Sequence, residues 1–189
     1  MVSTVDIVNR AVAQIAEIPS VTPVTSITPP AGDSIAAANA ASILYQPIYL
    51  AILRQNDWDF ARKTAPLAIA AGSAAQPWAY QYAYPADCIQ LRQVAPAAAA
   101  IIDPNDPHPV RWAVAGEIVK VILSNQSGAV GIYTVDVQDP TLWDWGFAEA
   151  MVRALASSLA LTLAGRPDFA REKLTEAAQF ESIAEGRRS

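Results

Sequence analysis

LAILRQNDWDFARKTAPL, Leu50 to Leu67, changes its periodicity half-way along. Ile48, Leu50, Ile52 and Leu53 have helical spacing, and Arg54-Gln55-Asn56-Asp57 is the kind of polar cluster that closes a helix. Trp58 and Phe60 then stand two apart, so in extended backbone they share one side while Asp59 faces the other. Beyond them Lys63 to Ala70 reads as a first strand. Large aromatics at the end of an element bury much area and pin it to a core. That is the role expected of Trp58 and Phe60, ahead of any contact with a ligand.

Upstream, Ser3 with Asp6 has the spacing of an N-terminal cap, and an Asp there is favoured by the positive helix end. Ile7, Ala11 and Ile15, with Val8 and Val12 beside them, continue as a helical stripe to about Glu17. The run PSVTPVTSITPP, Pro19 to Pro30, has no helical period. Its prolines remove donors and keep their predecessors extended, which predicts a linker on the surface or an arm lying on a neighbouring subunit. A second helix, about 34–55, is capped by Asp33 or Ser34. Its apolar stripe is Ala37, Ala41, Leu44, Ile48 and Ile52, and its polar stripe Asn39, Ser42, Gln46 and Tyr49. Pro47 lies inside it, where a proline costs roughly 3 kcal/mol in a regular helix, and this predicts a kink or break near Ile43 to Pro47.

Downstream, alternating patterns mark a β region of about 60–137. Trp78, Tyr80, Tyr82 and Tyr84 fall on one face of a strand, with Ala79, Gln81 and Ala83 on the other. Such a row can stack on bases, but packing against a helix layer is the commoner use. Cys88 to Val94 is a further short strand or turn, and Ala95 to Val110 is irregular and proline-rich. Gly116-Glu117 reads as a two-residue turn between Arg111–Ala115 and Ile118–Ile122, and Val130 to Val137 as the last strand. Short turns between consecutive strands predict an antiparallel meander. A third helix, about 141–164, starts at Thr141 with Asp144 in its first turn. Ala148, Val152, Leu155, Leu159 and Leu163 form its core stripe, and Glu149, Arg153 and Ser157 a narrow polar one, with Glu149 and Arg153 paired across one turn. Being small or apolar nearly all round, it should be buried on several sides. Pro167 opens a fourth helix, about 167–184, with Ala170, Leu174 and Ala177 on one face, and 185–189 is a mobile polar tail. The expected fold is therefore α+β: one domain, 1–189, a bundle of about four helices with an inserted antiparallel sheet.

Composition narrows the function. The 189 residues are 52% hydrophobic and 16% charged, and so few charges suggest that much of the surface is covered, plausibly by copies of the same chain. A net charge of −5 disfavours a nucleic-acid binder that rests on a basic patch. With a single cysteine there is no intrachain disulfide. The N-terminus has no signal-peptide pattern, and no uninterrupted apolar run of about 18 residues predicts a membrane span.

Chemistry-bearing constellations are sparse. His108 is the one histidine, placed between Pro107 and Pro109, and nothing local pairs it with Cys88. No zinc spacing and no glycine-rich phosphate loop occur. Asp103 to Asp106 has oxygens for a hard cation but reads better as a turn. The carboxylate pairs Asp57/Asp59 and Asp136/Asp139 sit where caps and solvated turns are expected. No catalytic, cofactor or metal site is predicted, and the chain is not expected to be an enzyme.

Three stretches resemble one family. They are the small-residue helix Ala37–Ala41 with Tyr45 and Tyr49, running into LR-x-x-x-W-x-FA and K-x-x-P-L; Tyr82-Ala83-Tyr84-Pro85-Ala86-Asp87-Cys88; and Trp112-x-x-x-Gly116 with the helix from Thr141 to Ala164. Together they resemble the tail tubular protein A family, the head-to-tail adaptors of short-tailed phages. The resemblance implies a structural virion protein at the head–tail junction, made in the bacterial host cytoplasm. It would form a ring of about twelve copies between the portal protein and the tail tube or nozzle, with DNA passing through the lumen unread. A negative ring suits that passage, because it does not hold phosphate. The resemblance places portal binding in the last helix and tail, on Phe180, Ile183, Arg187 and Arg188. Two alternatives stand beside it: another tail ring, such as a terminator or stopper, and a small cell-wall hydrolase using a carboxylate pair.

Overall fold

The computed structural model describes residues 3–15, 23–27, 36–97, 110–116, 118–164 and 167–186, with side chains as far as Ser182 in the last helix. The fold is α+β: the described residues form four α-helices and six strands in two small antiparallel sheets. The chain divides into two compact units, residues 1–60 with 137–189 and residues 61–136.

In the helical unit α1 (Thr4–Gln14) opens on a capping box. The Ser3 hydroxyl accepts from the Asp6 N–H at 3.1 Å, and the Asp6 carboxylate accepts from the Ser3 N–H at 2.9 Å. Two otherwise orphaned donors are thereby satisfied, and these Ser3 bonds hold the Asp6 carboxyl below its ordinary range. Ile7, Val8, Ala11 and Val12 are buried, as their spacing predicts. Of the proline-rich run, residues 23–27 are described. Val24 is buried, and the Asn9 amide of the same chain takes both its N–H (2.7 Å) and its C=O (2.9 Å). This piece of the run lies on its own α1.

Helix α2 (Ala36–Gln55) passes through Pro47 without a break, contrary to the expectation from sequence. Pro47 removes the donor to the Ile43 carbonyl, but both residues are on the exposed side, Ile43 at 72%. Water can take that carbonyl, so the defect costs less than it would in a core. The buried face is also turned from the predicted one. Tyr45 and Tyr49 are buried, whereas Leu44 and Ile48 are only half-buried. Tyr49 is core because its ring stacks on Trp143 at 5.5 Å and its hydroxyl is used, accepting from the Val137 N–H at 3.0 Å. The proposed caps Asp33 and Ser34 lie outside the described residues. After α2, Trp58 is fully buried, its indole N–H donating to the Ile52 carbonyl at 3.0 Å and its ring meeting Phe147 edge-on at 5.0 Å. Phe60 meets the same ring at 5.0 Å.

The third helix starts later than Thr141. Asp139 accepts from the Thr141 N–H at 2.9 Å and caps a short 3-10 turn, Pro140–Leu142, and α3 proper is Trp145–Leu159 with Asp144 at its N-cap. Phe147, Ala148, Met151, Val152, Leu155 and Leu159 are buried. A π-helical turn, Ala160–Ala164, follows, and then α4 (Pro167–Gly186). On α4 Ala170 and Ala177 are buried but Leu174 is 59% exposed, so its predicted face is not a single buried one. By length and composition alone α2 and the segment Trp145–Leu163, α3 with most of its π-helical turn, are long and apolar enough to cross a membrane, and 67% of the second window is buried inside the fold, as in a core helix.

In the β unit the strands are β1 (Arg62–Pro66), β2 (Tyr80–Ala83), β3 (Cys88–Pro96), β4 (Trp112–Ala115), β5 (Val121–Ser124) and β6 (Ala129–Val135). They do not form the predicted meander. One sheet has the order β1-β6-β3 and the other β2-β5-β4, so of the chain neighbours only β4 and β5 pair. The two sheets share a core in which Tyr82 and Ile122 from one meet Leu91, Val94 and Tyr133 from the other, with Tyr80, Tyr84 and Trp112 packed against it. Three of the four aromatics in the predicted row thus fill a core between sheets, not a face under helices.

The β4–β5 connection is longer than the expected two-residue turn. Ala115 pairs with Val121, and Ile118 and Val119 are 97% and 74% exposed instead of continuing the strand. Gly116 has φ +97°, and a Cβ there would lie 2.0 Å from the Val119 carbonyl oxygen. Gly116→Ala must therefore rearrange this loop, at a cost of about 1–2 kcal/mol, below the upper range for strain because the loop is exposed. The fall should appear in urea melts followed by circular dichroism, and Gly128→Ala, with open space at its Cβ, should cost less.

Candidate functional site

The narrow polar stripe read on α3 is not a solvated face. Glu149 is buried, its side chain 8% exposed, and its carboxylate takes the Arg10 guanidinium of α1 and, at 3.9 Å, that of Arg153. Arg153 reaches Glu176 of α4 at 2.5 Å and the Gln14 amide of α1 at 3.4 Å, and its guanidinium lies over the Phe180 ring at 5.6 Å. Lys173 closes on Glu176 at 2.7 Å, and the Ser157 hydroxyl donates to the Ala170 carbonyl at 2.7 Å. The Lys173 hydrogen bond, ahead of the charge of Arg153, holds the Glu176 carboxyl below its ordinary range. The stripe is thus a set of charged and polar bonds tying α3 to α1 and α4. Its signal was in the sequence: when a helix is apolar nearly all round, its few charges are inside with it.

Beside this network, the helical unit carries an open groove of about 370 Å³ between α2, α3 and α4. Its walls include Ile48, Ala51, Ala154, Leu174 and Ala178, with the buried carboxylate of Glu181 among them. Glu181 accepts from the Asn56 amide at 3.4 Å. A smaller cavity of about 120 Å³ is lined by Tyr45, Tyr49, Gln46, Gln138 and Trp143. Among the described residues no group lies within full hydrogen-bond geometry of the buried Tyr45 hydroxyl, and the cavity, with the Thr4 side chain also on its wall, is polar and roomy enough for ordered water to serve it. Neither feature is signalled by a sequence motif. Both arise from which helix faces the packing leaves uncovered.

Of the four residues expected at a portal contact, Phe180 is half-buried on α4, edge-on to the exposed Trp145 at 5.3 Å. Ile183 is on the same helix with its side chain outside the described residues, where Arg187 and Arg188 also lie. The chemical candidates come no closer to a site. Cys88 is half-buried and its thiol is pushed up by burial, the opposite of an activated nucleophile. His108 and Asp103 to Asp106 lie outside the described residues. Asp139 is the cap described above, its carboxyl lowered by the Thr141 N–H. Asp57 is half-buried and Asp59 exposed. Among the described residues no group of His, Cys, Asp and Glu is placed to hold a metal ion.

In the β unit Lys63 pairs with Asp87 at 2.5 Å, and the Tyr133 hydroxyl donates to the same carboxylate at 3.2 Å. Both members of the ion pair are 48% exposed, so it joins β1 to the turn before β3 with little energy. A scan against protein-family models finds no match, and no curated protein matches the chain.

Proposed function

We propose that this protein is a structural component of a phage virion, a head-to-tail adaptor that assembles with copies of itself into a ring of about twelve under the portal and lets DNA pass to the tail. The resemblance in Leu50–Leu67 and the two later stretches carries the identification. The observation that supports it is the exterior of the helical unit. Ile43 on α2, Trp145 on α3 and Leu161 on the π-helical turn stand 57–72% exposed on segments that bear few charges, and Leu174 stands 59% exposed on the more charged α4; large apolar side chains left out in that way mark surfaces that a partner covers. The chain has no enzymatic role in this reading. Its portal contact is the end of α4 with the tail, from Phe180 through Ile183 to Arg187 and Arg188.

Light scattering tests this on the purified chain, alone and mixed with its portal ring. A monomer or small oligomer that converts to a stoichiometric ring on the portal supports an adaptor that orders on docking. A chain that stays monomeric and ignores the portal sinks the reading. Binding to a tail protein with no affinity for the portal would point instead to a terminator or stopper.

A further inference from the structure

We infer that the groove between α2, α3 and α4 is a docking site for a basic amphipathic protein segment: a helix that lays apolar side chains against Ile48, Ala51 and Leu174 and sets a Lys or Arg against Glu181. Three observations carry this. The groove is mostly apolar, with Gln55 and Ser158 as its neutral polar residues and Glu181 as its one charged one, and about 370 Å³ lies at the lower end of ordinary binding sites, roughly 300–1,000 Å³. Leu174, a large apolar side chain on its wall, is left 59% exposed although α4 has alanines to bury on the same side. Charge then selects the occupant. Residues 61–136 hold five basic and five acidic side chains, while the rest of the chain holds 8 basic and 13 acidic, so the helical unit carries the whole net charge of −5.

Lys and Arg suit such a wall, because their stems are apolar and only their tips are charged. A helix can present them together with leucine-like anchors at the spacing that fits a groove. A second copy would bring the same acidic excess to the contact, and an anionic membrane surface would be repelled by it. A basic segment of a different protein is the occupant that the charge favours. The inference does not depend on the adaptor reading, since the groove and its charge stand whatever the protein assembles into.

The test uses the full chain and a labelled synthetic helix with leucines at i, i+3, i+4 and i+7 and lysines elsewhere, with a glutamate version as its counterpart, read by fluorescence anisotropy. The lysine peptide should bind and the glutamate peptide should not. Ala178→Arg fills the groove with a cation from an exposed position, and Glu181→Gln removes the charge while keeping the shape. Each should weaken binding by about tenfold or more. Glu172→Gln removes one charge from an exposed place on α4 and should change binding less than about twofold. Equal losses in Glu172→Gln and Glu181→Gln, or undiminished binding by Ala178→Arg, would reduce the effect to general charge attraction and overturn the inference. Absence of binding by the lysine peptide overturns it too. So does a self-association that Ala178→Arg abolishes, which would make a second copy the occupant, or equal binding to anionic vesicles.

Discussion

Trp58→Ala is expected to lower the stability of the helical unit by about 3–5 kcal/mol, the usual range for emptying a large buried aromatic. The indole is fully buried, packs edge-on to Phe147 at 5.0 Å, and ties its N–H to the Ile52 carbonyl in the last turns of α2. Phe147 is itself shared with Phe60, Tyr49 and Trp143, so the space left by Trp58 opens onto a cluster whose members already hold one another and cannot collapse far. Trp58→Phe separates the two contributions. It keeps a ring for Phe147 but loses the hydrogen bond and part of the area, and should cost about half as much. Urea midpoints from far-ultraviolet circular dichroism measure both. A loss below about 1 kcal/mol for the alanine variant would mean that Trp58 does not fasten the end of α2, and would remove the main structural reading of Leu50–Leu67.

That stretch was legible in outline because two local signals agree in it, a helical period that stops and a pair of aromatics that follow; the extended backbone expected at Phe60 is instead a 3-10 turn, Asp59–Ala61, and the strand after it is shorter than expected, Arg62–Pro66. The capping box at Ser3 and Asp6 was legible for the same reason, since both partners lie within one turn. What sequence could not supply were contacts made far along the chain. Strand β1 pairs with β6, from Arg62 opposite Thr134 to Pro66 opposite Val130, and alternation within a strand says which face is apolar but not which strand lies beside it. A meander was the economical guess, and the shared core of Tyr82, Ile122, Leu91 and Tyr133 is what replaces it. On α2 Tyr49 misled because a tyrosine has an apolar body and a polar tip. Tyr49 was counted by its tip, yet once Val137 serves the hydroxyl the ring is free to be core. Pro47 misled in the other direction, because its cost depends on whether the orphaned carbonyl is wet. The candidate groove has no sequence signature at all. Leu174 sits at a periodic core position of α4, and only the packing of the alanines beside it shows that it is left out.

Removing Glu149 is the other large effect expected. Glu149→Ala should destabilise the helical unit by about 2–3 kcal/mol, below the 3–5 kcal/mol for breaking a fully buried pair, because Arg10 keeps 44% of its side chain in water when its partner goes. Arg153, at 25% exposure, cannot escape as well, and among the described residues it retains Glu176 as its one carboxylate. Glu149→Leu tests the companion idea. If the network stabilises by attraction, the leucine variant loses as much as the alanine one. If it mainly selects which helix faces meet, leucine recovers stability while the order of α1 and α4, read by hydrogen exchange, declines. The pH dependence distinguishes the α4 end of the network. Glu176 has its folded value depressed by Lys173 and then Arg153. The stability it contributes is thus fully present above its unfolded value, near 4.5, and is lost as pH falls through the lower folded value. Below that unfolded value the wild type should lose stability more steeply than Glu176→Gln, and the two curves should converge as the carboxyl protonates. Parallel curves through the acid range would show that Lys173 and Arg153 do not hold α4 through this carboxylate.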